Sequence, residues 1–176
     1  MPTSLMLAKD GNYYGTTMSV YGGIFEMTPD GTVTEIYTFT AGWPNALIQG
    51  TDGNFYGTTG SITDGVVFKM TSDHVVSVLH TFGQGTDGQF AGGLVQGPTG
   101  NLYGTTGLGG SADQGTIYEI TTDGSSYNIL HNFGDGSVIN DGNNPGPLVV
   151  GSDNNLYGTT SIGGVSNNGT VFKISP

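Results

Sequence analysis

Tyr14-Gly15-Thr16-Thr17 returns as Tyr56-Gly57-Thr58-Thr59, Tyr103-Gly104-Thr105-Thr106 and Tyr157-Gly158-Thr159-Thr160. The step from Tyr14 to Tyr56 is 42 residues, that from Tyr56 to Tyr103 is 47, and that from Tyr103 to Tyr157 is 54. Such periods are near those of propeller blades and longer than one coil of a β-helix. A residue that recurs this way is first of all a fold-maker, so function must be sought in what differs between copies.

Each copy resolves into four short strand candidates. In the third, strand A spans 93–97, B 101–106, C 116–121 and D 127–133. The A-to-B links Asp10-Gly11, Asp52-Gly53, Thr99-Gly100 and Asp153-Asn154, and the C-to-D links Asp30-Gly31 and Asp123-Gly124, are hairpin-turn signals. No segment carries capped helical periodicity, so essentially no helix is expected. The strand candidates are short apolar runs such as Leu94-Val95 and Val171-Phe172, as face-to-face blade packing requires. The expectation is one all-β domain over 1–176, a β-propeller of four-stranded antiparallel blades at about 4–44, 45–90, 91–145 and 146–176. The glycine after each motif tyrosine is expected to make room for an aromatic ring of the next blade.

The fourth copy ends after strand C, at Lys173-Ile174-Ser175-Pro176, so its outer strand is missing. Three readings stay open: a three-stranded blade, completion by a partner chain, or a segment of a longer array. A homodimer closing an eight-bladed ring and a four-bladed monomer both lie within the usual range of about four to eight blades.

Composition narrows the partners. The chain of 176 residues holds 14 acidic residues against three lysines and no arginine, a formal charge of −11, which excludes nucleic acid and disfavours anionic membranes. With 33 glycines but 35% hydrophobic residues, nine Tyr and eight Phe, the glycines read as turn and packing residues of a folded chain. The lack of cysteine removes disulfides, thiol catalysis and thiolate metal sites. No signal peptide is visible at Met1, and no run reaches the roughly 18 apolar residues of a membrane-spanning helix.

The frame Leu-x-x-Gly-x-Asp-Gly-Asn-x-Tyr-Gly-Thr-Thr, then Gly-Thr-x-Phe-x-x-Thr-x-Asp-Gly, then Leu-x-x-Phe resembles the GloVer tandem repeat of bacterial exported proteins. Its clearest copies are Leu47 to Thr59, Gly115 to Gly124 and Leu130 to Phe133. The resemblance implies a propeller-like repeat protein, secreted or displayed at the cell surface, and brings no catalytic motif with it. Ala8 in place of Gly50, Gly97 and Gly151, Asn154 in place of a turn glycine, and His74 in the second C-to-D turn depart from the frame.

Strand parity puts all B-to-C and D-to-A loops on one face, and loops on a rigid scaffold commonly carry binding groups. From them come the ligand-binding candidates Tyr21, Trp43, Gln84, Asp87, Phe90, Asp113, Gln114, Asp135, Asp141, Asn143, Asn144 and Asn167. Trp43, the only tryptophan, is either a stacking platform for a sugar or aromatic ligand or a wedge between the first two blades. Tyr21 and Phe90 carry the same pair of readings. Asp64, Asp87, Asp113, Asp135 and Asp141 offer oxygen ligands for Ca2+, but without EF-hand spacing, and turn formation explains them equally; no other cofactor is expected. His80 and His131 occupy equivalent places, matched by Tyr37, and read as structural rings on the outermost strand. Streptogramin lyases are propellers with similar repeats that use a His, a Glu and a divalent metal in loops of one face. Here no histidine lies in those loops, so a lyase is the low-ranked alternative. Strand C reads Glu26, Lys69, Glu119 and Lys173 at one position, an alternation expected to match charge between neighbouring blades. The function expected is a non-enzymatic module binding a neutral carbohydrate through its loop-rich face, with a purely structural or assembly role as the alternative.

Overall fold

The structure is a computed structural model that describes residues 1–18, 22–40, 42–61, 65–83 and 86–176. Tyr21, Asp64 and Gln84 lie outside the described residues. Four antiparallel sheets follow one another along the chain, and no helix occurs among the described residues. Sheet one is β1 (Pro2–Leu7), β2 (Tyr13–Thr17), β3 (Gly23–Met27) and β4 (Val33–Thr38), in that order. Sheet two has a broken inner strand, β5 (Trp43–Pro44) and β6 (Ile48–Gln49), then β7 (Phe55–Gly60), β8 (Val66–Met70) and β9 (Val76–Thr81). Sheet three is β10 (Gly88–Gln96), β11 (Leu102–Gly109), β12 (Thr116–Ile120) and β13 (Tyr127–Asn132). In sheet four, β14 (Gly142–Pro145) and β15 (Val149–Val150) pair with β16 (Leu156–Gly163), which also pairs with β17 (Val171–Ile174).

The inner strands begin earlier than the sequence reading placed them. Trp43-Pro44, Gly88–Phe90 and Gly142–Pro145 belong to the sheet that follows them, because the second motif threonine pairs with Pro44, Ala91 or Pro145 beyond the point where Asn-Ala, Gly-Gly or Gly-Pro interrupts the ladder. Two departures from the repeat keep their turns: Asn154 (φ +64°) and His74 (φ +61°) adopt the left-handed backbone that Gly53 (φ +85°) and Gly124 (φ +74°) adopt in equivalent turns.

Successive sheets pack face to face around separate cores. Tyr14, Ile24, Phe55, Phe68 and Met70 fill the first junction; Tyr56, Val67, Phe82, Leu94 and Tyr118 the second; Tyr103, Ile117, Phe133, Leu148 and Leu156 the third. The Tyr-Gly-Thr-Thr motif is spent wholly on this architecture. Its tyrosine is buried in the first three sheets, and its hydroxyl reaches a carboxylate: Asp10 and Glu26 for Tyr14, Asp52 for Tyr56, Glu119 for Tyr103, Asp153 for Tyr157. Burial, reinforced by these carboxylates, pushes Tyr14 and Tyr56 well above the ordinary phenol value and raises Tyr103 as well.

The motif glycine makes room for a ring, but one of its own sheet. A Cβ on Gly15, Gly57, Gly104 or Gly158 would stand no more than 2.6 Å from the directly paired Phe25, Phe68, Tyr118 or Phe172. Rings cross at this point because paired residues on adjacent strands lie closer than residues of adjacent sheets. The first threonine stitches sheets together: Thr58 Oγ1 donates to Gly92 O at 2.5 Å and Thr105 Oγ1 to Gly146 O at 3.0 Å. The second braces its own sheet, Thr106 Oγ1 and Thr160 Oγ1 each accepting from the backbone N–H of the paired Thr116 or Thr170.

The charge alternation on strand C resolves within sheets at both lysines, while Glu26 also lies 3.9 Å from His74 Nε2 of the next sheet. Lys69 Nζ lies 3.8 Å from Asp52 and Lys173 Nζ 2.9 Å from Asp153, the carboxylates that serve Tyr56 and Tyr157. Glu119 takes that place in sheet three, where the turn offers Thr99 instead of Asp. Each motif tyrosine therefore has a carboxylate, from the turn or from strand C.

Candidate functional site

Three of the expected ligand-binding residues fall on one structural position. Trp43, Phe90 and Asn144 each stand one residue before the inner-strand residue that pairs with the second motif threonine, in three consecutive sheets. They crown the inner strands on the loop face, and hydrogen bonds tie two of them to the preceding sheet. Phe90 N–H donates to Ser61 O at 3.1 Å and Asn144 N–H to Gln114 O at 3.0 Å. Phe90 (φ +54°) and Asn144 (φ +54°) both hold the left-handed backbone, which turns their side chains out of the regular pleat. Asn144 is exposed and its Nδ2 donates to Ser161 Oγ at 3.0 Å; Phe90 is half-buried. Gly107 sits between them, since a Cβ there would meet Asn144 Oδ1 at 2.9 Å and Phe90 Cβ at 3.8 Å.

Trp43 is 52% exposed, so it is not the wedge between sheets that one reading allowed. Its backbone is nonetheless paired, opposite Gly60 in the ladder of β5 and β7. A large ring on an ordered strand, open to solvent, is a platform that loses little freedom on meeting a flat ligand face. Asn143 lies beside this rim, on β14 opposite Ile162, and is half-buried.

Asp87, Asp113, Asp135, Asp141 and Asn167 are structural braces. Asp113 Oδ1 accepts from Gly109 N–H at 2.9 Å and Asn167 Oδ1 from Gly163 N–H at 3.1 Å, matching roles in the B-to-C loops of sheets three and four. Asp135 Oδ1 accepts from Ser137 N–H at 2.8 Å, and its bonds to Ser137 hold the carboxyl below the usual value. Asp87 is buried: its Oδ2 meets His80 Nε2 at 2.8 Å, while its Oδ1 accepts from Gly88 N–H at 2.8 Å and Tyr127 OH at 2.7 Å. Burial pushes Asp87 up, but the bonds from His80, Tyr127 and Gly88 outweigh it and leave the carboxyl below its ordinary value. Asp141 Oδ2 meets His131 Nε2 at 3.0 Å and takes Gly134 N–H, and its Oδ1 takes Gly142 N–H.

The two histidines thus reach from the outer strands to the acids that open the next inner strand, a connection the sequence reading missed. The signal was present as His-x-Phe followed by Asp-Gly in the second and third copies, and lacking from the first, which has Tyr37 and Thr40. Among the described residues, no group of three or more His, Cys, Asp or Glu side chains is placed to hold a metal ion.

Comparison with known proteins agrees with this architecture. The Gloeobacter/Verrucomicrobia repeat matches residues 43–176, more than half of the chain. The chain belongs to that repeat family. No curated protein matches the sequence at a significant level. Among solved structures, a catalytically inactive histidine-to-alanine variant of virginiamycin B lyase from Staphylococcus aureus, with quinupristin, superposes with a TM-score of 0.67 at 19% identity. A luciferin-regenerating enzyme gives 0.67 at 18% identity, and the match covers 99% of this chain in both cases. The chain spans 56% of the lyase and 61% of the luciferin-regenerating enzyme. The extracellular domain of a protein assigned to a one-component system in B. thetaiotaomicron also matches, with a TM-score of 0.67, 15% identity, and coverage of 98% of this chain and 21% of that one. At such identities the likeness carries the propeller-like fold and nothing of the chemistry.

Proposed function

We propose that this repeat chain is a non-catalytic binding scaffold, exported or surface-displayed, whose inner-strand rim receives a neutral carbohydrate. The observation that carries the reading is Trp43: a solvent-open indole held on a paired strand, in register with Phe90 and Asn144 on the two sheets that follow. Apolar ring faces beside amide hydrogen-bonding groups suit a sugar ring, which is apolar on its faces and polar at its edges. A net charge of −11 favours a neutral ligand over an anionic one. His80 and His131, on the outer strands, are occupied by Asp87 and Asp141, which speaks for binding rather than lyase chemistry. The sequence frame's resemblance to a repeat of exported proteins and the extracellular match support export. The test is an array of neutral oligosaccharides probed with the wild-type chain and with Trp43→Ala: saturable binding lost in the variant supports the proposal, and silence across the array refutes it.

One observation favours an assembly role as a second reading. The strand-C position that is buried as Ile24, Val67 and Ile117 is Val171 in sheet four, 82% exposed, while the opposite end of the stack bears an apolar cleft of about 600 Å³ lined by Leu5, Phe25, Met27 and Val33. A second copy packing head to tail would repeat the existing sheet-on-sheet junction and give an eight-bladed ring. Native mass at micromolar concentration separates a dimer from a monomer.

A further inference from the structure

We propose that the outer cleft between sheets one and two is a seat for a small uncharged aromatic molecule, a single ring bearing a hydroxyl or amide group. The observation that carries this is a frame of three rings common to the junctions, whose fourth ring at the second junction has no counterpart at the first.

Where sheets two and three meet, His80, Phe82 and Tyr118 form the frame. His80 meets Phe82 at 5.0 Å and 81°, and Phe82 meets Tyr118 at 5.2 Å and 62°. Tyr127 fills it, stacked on His80 at 3.8 Å and 5° with its hydroxyl on Asp87. Where sheets one and two meet, ladder register puts Tyr37 in the place of His80 and Phe68 in that of Tyr118, and Phe39 follows Tyr37 as Phe82 follows His80. Tyr37 meets Phe39 at 4.9 Å and 75°, and Phe39 meets Phe68 at 4.9 Å and 55°, so the frame is closely kept. His131, Phe133 and Phe172 repeat it at the third junction.

The fourth ring is where the first two junctions part. Met70 pairs with Val76 as Ile120 pairs with Tyr127, so a valine stands where the second junction has a phenol. The space left is a cavity of about 240 Å³ bordered by Tyr37, Phe39, Thr40, Phe68, Val76 and Val78. Three of these are the frame itself, and their counterparts His80, Phe82 and Tyr118 are the rings that meet Tyr127. Sheets one and two are both complete from inner to outer strand, so the cleft is internal to the stack.

An apolar cavity of about 150 Å³ holds benzene, so this volume suits one substituted ring. Tyr37 is 37% exposed and stands where His80 carries a stacked ring. The polar end differs from the second junction. Trp43 and Phe90 are equivalent, and Thr40 lies three residues before the one as Asp87 lies before the other, so a hydroxyl that both donates and accepts replaces a carboxylate. No charged side chain borders the cavity among the described residues, which favours an uncharged ligand with a hydrogen-bonding substituent.

The test titrates p-cresol, the tyrosine side chain as a free molecule, into the full chain with isotope-labelled valine methyl groups, read by NMR. Its saturated analogue, methylcyclohexanol, is the matched probe. Saturable shifts of the Val76 and Val78 methyl signals are expected in roughly the millimolar range. The saturated analogue should bind roughly two- to tenfold more weakly, the factor that ring–ring geometry adds beyond buried area. Val76→Tyr supplies the fourth ring from the chain itself and should abolish the response at Val78. Equal affinity of the wild-type chain for the two probes overturns the aromatic seat without recourse to any variant, and persistent binding by folded Val76→Tyr does the same. No saturable shift at Val76 and Val78 overturns the site, and shifts confined to valines elsewhere place the probe outside the cleft and overturn it likewise.

Discussion

Replacing Tyr118 by Phe should stabilise the protein. Tyr118 is fully buried, and its hydroxyl has no hydrogen-bond partner among the described residues. The paired strand-C position is Phe25, Phe68 and Phe172 in the other sheets, so the hydroxyl is peculiar to sheet three. It points at the motif glycine, pressed against the place where a Cβ of Gly104 would stand. Burying a hydroxyl without a partner costs about 1–3 kcal/mol, while the ring packing against Phe82 at 5.2 Å and Tyr127 at 5.5 Å survives the change. Some van der Waals attraction leaves with the oxygen, so the net gain is about 1 kcal/mol, or roughly 2–4 °C in melting temperature for a chain of this size. Calorimetric melting and urea unfolding of the two proteins measure it. A clear fall in melting temperature in Tyr118→Phe would mean the hydroxyl is hydrogen-bonded in solution and would refute the reasoning.

Gly57→Ala sets a methyl 2.6 Å from the Phe68 ring and 3.0 Å from Leu47 Cδ2, and should destabilise by about 1–3 kcal/mol, seen as a lower urea midpoint at unchanged m. Asp87→Asn should lower stability at neutral pH and flatten its acid decline. The folded carboxyl lies below its unfolded value of 3.8, so its contribution is complete above that value and is lost as pH falls through the depressed folded one. Stability measured by urea titration from pH 7 down through about pH 4 and below checks it, and parallel curves for variant and wild type would oppose it. Trp43→Ala, at an exposed position, should leave stability within about 0.5 kcal/mol of wild type while removing carbohydrate binding.

Sequence period and turn chemistry made the sheets readable, because both are local: Asp-Gly at a hairpin and an apolar run before it need no knowledge of distant contacts. Even the departures kept to that rule, since Asn154 and His74 tolerate the left-handed backbone their turns require. Contacts between elements were harder to read. The partner of the motif glycine was expected in the next sheet and proved to be the ring on the neighbouring strand, a matter of register rather than period. The inner strands were cut short at Asn45-Ala46, Gly92-Gly93 and Gly146-Pro147, which break the apolar run but not the course of the chain. For the same reason the loops seemed longer than they are, and Trp43 read as a loop residue although it stands on β5. The loop acids were chosen as one group for their shared chemistry. In three dimensions Asp87 and Asp141 are drawn to His80 and His131, and Asp113 and Asn167 to backbone N–H groups, which leaves the rim to Trp43, Phe90 and Asn144.

Trp43, as the single tryptophan, reports on the proposed site without a label. Its emission, followed while neutral oligosaccharides are titrated into the wild-type chain, tests the central claim most directly. A saturable change in intensity with a blue shift, as an exposed indole becomes covered, is the result expected. Emission that stays constant while an independent method registers sugar binding would place the ligand elsewhere and contradict the assignment of the rim.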